Sequence, residues 1–375
     1  MKTIYLDYAS STPLDPRVLE KMKAILHTDG IHANAASGHA AGKAAREHIE
    51  HARSQIAKLL HADTSEIIFT SGATESINLA LKGATHLYHH RGKHIITMAT
   101  EHRAVLAVCQ HLEKEGYSVT YLSPMPDGLL DLDQLKQALR SDTVLISIMH
   151  VNNETGVIQD IASIAALTKS KEILLHVDAA QSVGKLPLNV LDVPVDFISL
   201  SAHKVYGPKG IGALFLRKKP RVRVSPLLHG GGHEQGMRSG TLPTHQIVGM
   251  GEAYALANIE REHDWQHAQL LRELLISKLN DRAYIIPKNN MHRCVPHIVN
   301  MAFENKLADA SLSNVPHIAL STAAACQGFH TDGSYVLRKM GLSDDIINSA
   351  IRFSFGRFTN HHELTQALAA INEII

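Results

Sequence analysis

The stretch Ile173-Leu-Leu-His-Val-Asp-Ala-Ala-Gln181 is an apolar run that ends on a carboxylate and then turns. Its length and composition read as a buried strand over 173–177. Further on, Asp196-Phe-Ile-Ser-Leu-Ser201 repeats the pattern and leads into Ala202-His-Lys-Val-Tyr-Gly-Pro-Lys-Gly210. Working outward, more strands are expected at 66–70, 94–98, 118–122, 143–150 and 211–216. Helices are expected after Ser71-Gly-Ala-Thr-Glu75 and at 102–115, 132–140 and 161–169. Apolar strands alternating with helices mean an α/β layer structure with a mostly parallel sheet.

Towards the N-terminus, Asp15-Pro16 opens a helix, with Val18, Leu19, Met22, Ile25 and Leu26 at helical spacing. Beyond the strand region, His229-Gly-Gly-Gly-His-Glu234 and Arg238-Ser-Gly-Thr241 lead into a long helix near 244–280. Strands at 297–303 and 351–355 and a terminal helix follow. The expected division is a large α/β domain over 13–258, with 1–12 and 259–375 forming a smaller α+β domain that carries Cys326.

Composition narrows the classes. The 37 basic and 36 acidic residues leave a formal charge of +1, which gives no reason to expect nucleic acid or membrane surfaces as partners. The N-terminus shows no apolar leader and no long apolar run appears, so a soluble cytoplasmic protein is expected. Three cysteines, Cys109, Cys294 and Cys326, are too few and too scattered for a disulfide framework or a metal site. The 26 histidines show no metal-binding spacing and read as solvated or helix-end residues.

Several residues carry chemistry. Asp178 and Lys204 each follow a strand, where ligands of open α/β sheets gather. An amine and a carboxylate so placed suit pyridoxal phosphate. The amine forms a Schiff base with the aldehyde, and the carboxylate keeps the pyridine nitrogen protonated. Lys209 is the rival amine. Ala73 and Thr74 open a helix whose free N–H groups suit a phosphate, although an ordinary helix cap has the same sequence. Ser201 and His203 flank Lys204 with further donors, and Gln181 can donate to a ring oxygen. His102 stands where a helix begins and can stack on a ring and pass protons. Cys109 falls on the apolar stripe of that helix and reads as packing. Cys326, in Ser321-Thr-Ala-Ala-Ala-Cys-Gln-Gly328, reads as an exposed loop thiol. Arg352 alternates with Ile351 and Phe353 on a strand; it either faces solvent or holds a carboxylate in a bidentate pair.

Taken in order, these motifs resemble the cysteine desulfurases of the NifS/IscS type, within the class V aminotransferases. The resemblance runs from Tyr5-Leu-Asp-Tyr-Ala-Ser-Ser-Thr-Pro-Leu-Asp-Pro-Arg17 through Thr100-Glu-His102, His150-Val-Asn-Asn-Glu-Thr-Gly156 and the Lys204 segment to Ile351-Arg-Phe-Ser-Phe-Gly-Arg357. It implies the type I fold of pyridoxal-phosphate transferases, with a seven-stranded large-domain sheet. It selects Lys204 over Lys209, and puts Asn153 and Gln181 near the ring oxygen. It places Ala73, Thr74, Ser201 and His203 around the phosphate. It implies a homodimer in which Thr241 reaches the partner subunit's phosphate. Arg352 and Asn34, with Asn153, then hold the substrate, L-cysteine. Cys326 matches the persulfide-forming cysteine and is the one candidate for a transient iron–sulfur ligand; no other metal site is implied. The sulfur goes to an acceptor protein, either an iron–sulfur scaffold or a relay that thiolates tRNA or DNA. Two departures stand out. Ala33-Asn-Ala-Ala-Ser37 replaces the usual Gly-Asn-Pro turn, and Ala323 replaces a glycine before Cys326. The alternatives are a selenocysteine lyase, another class V enzyme such as a transaminase, or an inactive sulfur-relay partner.

Overall fold

The computed structural model describes residues 3–279, 282–288, 290–303, 312–322 and 333–374. A short strand β1 (Ile4–Tyr5) precedes helices α1 (Pro16–Leu26) and α2 (Ala40–Leu60). Then β2 (Ile67–Thr70) enters α3 (Ala73–Tyr88), β3 (His94–Met98) enters α4 (Arg103–Lys114), and β4 (Ser118–Leu122) precedes α5 (Leu132–Ala138). Next come β5 (Thr143–Met149), α6 (Ile161–Ser170), β6 (Leu174–Asp178), β7 (Phe197–Ser201) and β8 (Gly212–Leu216). The long helix α7 (Thr244–Leu279) leads to β9 (Ala283–Ile286), β10 (Ile298–Phe303), β11 (Ile318–Ala319) and β12 (Ser321–Thr322). Helices α8 (Tyr335–Lys339) and α9 (Asp344–Ser349), strand β13 (Ala350–Ser354) and α10 (His361–Ile374) complete the described chain.

The seven-stranded sheet has the order β2-β8-β7-β6-β5-β3-β4. Only β8 runs against its neighbours. The C-terminal ends of β2, β3, β5, β6 and β7 therefore share one edge, and the loops at that edge carry the functional side chains. Both faces of the sheet are covered away from its β4 edge, so most residues of its inner strands are apolar. Ile96, Ile146, Leu175 and Ile198 pack on one side with α2, α6 and α7. Ile95, Leu145, Leu174 and Phe197 pack on the other with α3 and α4. Each such side chain removed from water contributes about 1.5–3 kcal/mol.

Two histidines lie inside this sheet, contrary to the expectation that the histidines are solvated or cap helices. His94 bridges Thr143 Oγ1 (2.7 Å) and Thr120 Oγ1 (2.9 Å) on the strands either side of it. His176 does the same with Ser147 Oγ (2.8 Å) and Ser199 Oγ (2.9 Å). With both ring nitrogens satisfied, an imidazole is tolerated in an apolar layer, and burial drives the pKa of His176 down to about 3, so the ring is neutral. The sequence reading also assigned no helix to 40–60. There the buried face of α2 mixes Ala45, Ala52 and Ala57 with Ile49, Ile56, Leu59, Leu60 and the charged Arg53.

The smaller sheet has the order β12-β13-β10-β9, and α7 and α10 pack against it around Leu271, Leu275, Phe353 and Leu368. The N-terminal segment joins this part. β1 pairs with β11, Ser354 N donates to Leu6 O (2.8 Å), and Asp7 bridges to Ser354. Those contacts lay residues 4–8 alongside Arg352. Among the described residues, no helix is long and apolar enough to cross a membrane.

Candidate active site

At the shared strand edge lies a cavity of about 560 Å³. It is lined by Ala73, Thr74, His102, Asn153, Asp178, Gln181, Ser201, His203, Lys204 and Arg352, and also by Lys209. Asp178 is the last residue of β6 and Ser201 the last of β7, so strand register alone brings both to the rim. Asp178 is 5% exposed, and its Oδ1 accepts the Ala180 N–H (3.0 Å). Burial raises its pKa, opposed by the His102 ring and the Lys204 amine.

Lys204 sits on a single turn after β7, and its Nζ donates to Ala9 O and Ser10 O, both at 2.7 Å. The N-terminal segment thereby fixes the amine. His102 caps α4, with Nδ1 accepting the Ala104 N–H (3.1 Å), which leaves the proton on Nε2. Burial lowers its pKa, Asp178 raises it and Lys204 lowers it further, so the ring is neutral at pH 7. His203 is pushed down to about 4 by burial and then by the charges of Lys204, Lys209 and Lys185.

The N-terminus of α3 faces the cavity with unsatisfied first-turn N–H groups. Glu75 accepts the Ser71 N–H (2.7 Å) and is neutralised by Arg238 Nε (2.8 Å), so its carboxylate does not cancel that positive end. The approach of the Ser71–Gly72 loop to the sheet is close: a Cβ on Gly212 of β8 would lie 2.6 Å from Gly72 Cα.

Arg352 is 4% exposed, which excludes the solvent-facing alternative. Its Nη1 donates to Asn153 O (2.8 Å), and its Nη2 to Asp7 Oδ1 (2.7 Å), Ser10 Oγ (2.7 Å) and Ser321 Oγ (2.9 Å). Arg352 Nε, Asn153 Oδ1 and Gln181 Oε1 are buried polar atoms with no partner in the structure. Gln181 gives Nε2 to Ala9 O (2.8 Å). Three orphaned polar atoms on residues lining one cavity mark a place for a polar occupant.

Asn34 and Thr241 are not brought to this cavity. Both line a second hollow of about 300 Å³ beside the end of α1 and the start of α7. Asn34 Oδ1 accepts the Ala36 N–H (2.9 Å). Cys326 lies outside the described residues. Cys109 and Cys294 are buried, and burial pushes both thiols up to about 12. Among the described residues no cluster of histidine, cysteine, aspartate and glutamate is arranged to hold a metal. The sequence reading gave no role to Asp7, Ser10, Glu75 or Arg238. Asp7 and Ser10 stand inside the motif Tyr5–Arg17, but their link to Arg352 spans the length of the chain and has no local signal.

The family model for class V aminotransferases matches residues 4–367, and the chain belongs to that family. Within it, the chain is 53% identical over 369 residues to the cysteine desulfurase IscS of Vibrio atlanticus, covering 98% of this chain and 91% of that protein. Among solved structures, a NifS-like protein superposes with a TM-score of 0.92 at 36% identity, covering 99% of each chain. The structure of SspA in complex with cysteine gives a TM-score of 0.83 at 39% identity, covering 94% of this chain and 98% of that one.

Proposed function

We propose that this chain is a pyridoxal-phosphate-dependent cysteine desulfurase that converts L-cysteine and the Cys326 thiol into L-alanine and a Cys326 persulfide. The observation that carries this is the convergence of Lys204, Asp178, His102 and Arg352 on one cavity, in a chain 53% identical to a protein named cysteine desulfurase. The solved complex of SspA with cysteine supports the substrate.

The residues present fit the cofactor. Lys204 Nζ is the attachment amine and Asp178 the partner of the ring nitrogen. Gln181 and Asn153, whose buried Oε1 and Oδ1 lack partners, would face the ring oxygen. Ala73, Thr74, Ser201 and His203 supply phosphate donors. When bound, the cofactor supplies an aldehyde carbon and a ring that takes up electrons from the substrate's Cα. Arg352 orients the substrate through its α-carboxylate. Lys204 Nζ would take the substrate's Cα proton. His102, neutral at pH 7, passes a proton between its Nε2 and the substrate thiol. The Cys326 thiolate attacks the substrate sulfur, its S–S bond forms as the C–S bond breaks, and the proton returned to carbon gives alanine. The buried, neutral thiols of Cys109 and Cys294 are no competitors for this step.

The active form is proposed to be a homodimer in which Thr241 completes the partner subunit's phosphate site. The hollow holding Thr241 and Asn34 apart from Lys204 supports that arrangement. The persulfide then passes to an acceptor protein, an iron–sulfur scaffold or a thiolation relay. Cys326→Ser tests the assignment: sulfide release with a reductant should fall to background, while L-cysteine still changes the cofactor spectrum. Undiminished release of sulfide, or of selenide from selenocysteine, by that variant would favour a lyase that does not need this thiol.

A further inference from the structure

The Asp7 carboxylate sits 2.7 Å from Arg352 Nη2 and also accepts a hydrogen bond from Ser321 Oγ (2.8 Å). Asp7 is not among the residues that line the cavity, whereas Arg352 is. We propose that Asp7 is a built-in counter-charge that weakens the grip of Arg352 on an α-carboxylate, so that substrate and product alike are held loosely enough to turn over.

Two considerations decide between an anchoring and a competing role. The guanidinium does not depend on Asp7 for its orientation. Asn153 O fixes Nη1, and Ser10 Oγ and Ser321 Oγ fix Nη2, all three neutral acceptors. The charge balance does depend on it. Arg352 is 4% exposed, and a buried guanidinium is costly without a partner. Asp7 neutralises it through Nη2, while Nε remains without an acceptor. An incoming carboxylate therefore meets a cation that is already paired, and it is repelled by the charge that pairs it. Remove that charge and the incoming carboxylate no longer competes with a carboxylate hydrogen-bonded to Nη2. Asp7 then acts equally on L-cysteine and L-alanine, because both carry the same carboxylate.

This rests on the desulfurase reading above. The test is a spectral titration of the cofactor-loaded protein with L-cysteine, L-alanine and cysteamine, which lacks the carboxylate. Asp7→Asn preserves shape and an acceptor oxygen. It should bind L-alanine and L-cysteine about tenfold more tightly than wild type, leave cysteamine unchanged, and show stronger inhibition by alanine. Asp7→Glu restores the charge and should return alanine binding towards the wild-type value. If Asp7→Asn folds poorly, Asp7→Ser removes the same charge and carries the same expectation. Unchanged or weaker alanine binding in these variants, or an equal gain for cysteamine, overturns the proposal. A wild-type protein that gives no spectral response to L-cysteine overturns the desulfurase reading instead.

Discussion

Replacing Glu234 with alanine removes one carboxylate that serves three donors. Glu234 Oε2 accepts from Arg53 Nη1 (2.7 Å) and from the Phe69 N–H (2.6 Å), and Oε1 accepts from Arg53 Nη2 (2.9 Å). Arg53 and Glu234 are each 6% exposed. The guanidinium cannot withdraw to water, because it also donates to Ile67 O (2.7 Å) and lies 4.7 Å from the Phe69 ring centroid. Removing Glu234 leaves the buried guanidinium to the largely exposed Glu50 carboxylate, 3.1 Å from Nη2, and breaking a buried pair from one side costs about 3–5 kcal/mol. Unfolding entropy of about 2.1 cal/mol/K per residue converts that cost into a melting temperature about 4–6 °C lower for a chain of this length. Glu234→Gln keeps an acceptor oxygen and should lose about half as much. Because the pair is buried, the shift should be nearly the same at low and high salt. Scanning calorimetry of both variants at two salt concentrations reads this directly. Because Glu234 anchors the loop that continues to Arg238, cofactor binding should weaken in parallel. An alanine variant melting within about 1 °C of wild type would refute the reasoning.

A second prediction concerns pH. Burial pushes the Asp196 carboxyl up to about 6, although its Oδ2 accepts the Leu175 N–H (2.8 Å) and it lies near Arg217. The folded state thus holds this proton more tightly than the unfolded state, so stability falls as pH rises from about 4 through about 6. Asp196→Asn should be more stable than wild type by about 3 kcal/mol at pH 8 and nearly equal to it at pH 4; a difference that stays flat in denaturant titrations across that range contradicts the assignment. Thr241→Ala should raise the cofactor's dissociation constant about tenfold in absorbance titrations of the stripped protein, and an unchanged constant would remove Thr241 from the phosphate site.

Most of the sheet was legible because every strand except the edge strand β4 is buried along its length, so a largely apolar run marks it. Asp178 and Lys204 were legible because each directly follows such a run, and strand ends are where ligands gather. The α2 helix was not, because small residues, Gly42, Ala45, Ala52 and Ala57, and the charged Arg53 interrupt the larger apolar side chains on its buried face. His94 and His176 were misread because the hydroxyls that satisfy them belong to neighbouring strands, and only the register brings them together. The Arg352 network was invisible for a similar reason. Asp7 and Ser10, Asn153, and Ser321 come from three separate segments, and each alone is an ordinary polar residue. The resemblance supplied roles for Asn34 and Thr241, but a single chain leaves both away from the Lys204 cavity.

The central claim is a covalent attachment at one amine, and reductive trapping measures it. Borohydride treatment of the cofactor-loaded protein, followed by proteolysis and mass spectrometry, should place the reduced pyridoxyl label on the peptide containing Lys204, and Lys204→Ala should abolish it. A label on Lys209 or elsewhere, or no label at all, would contradict the account.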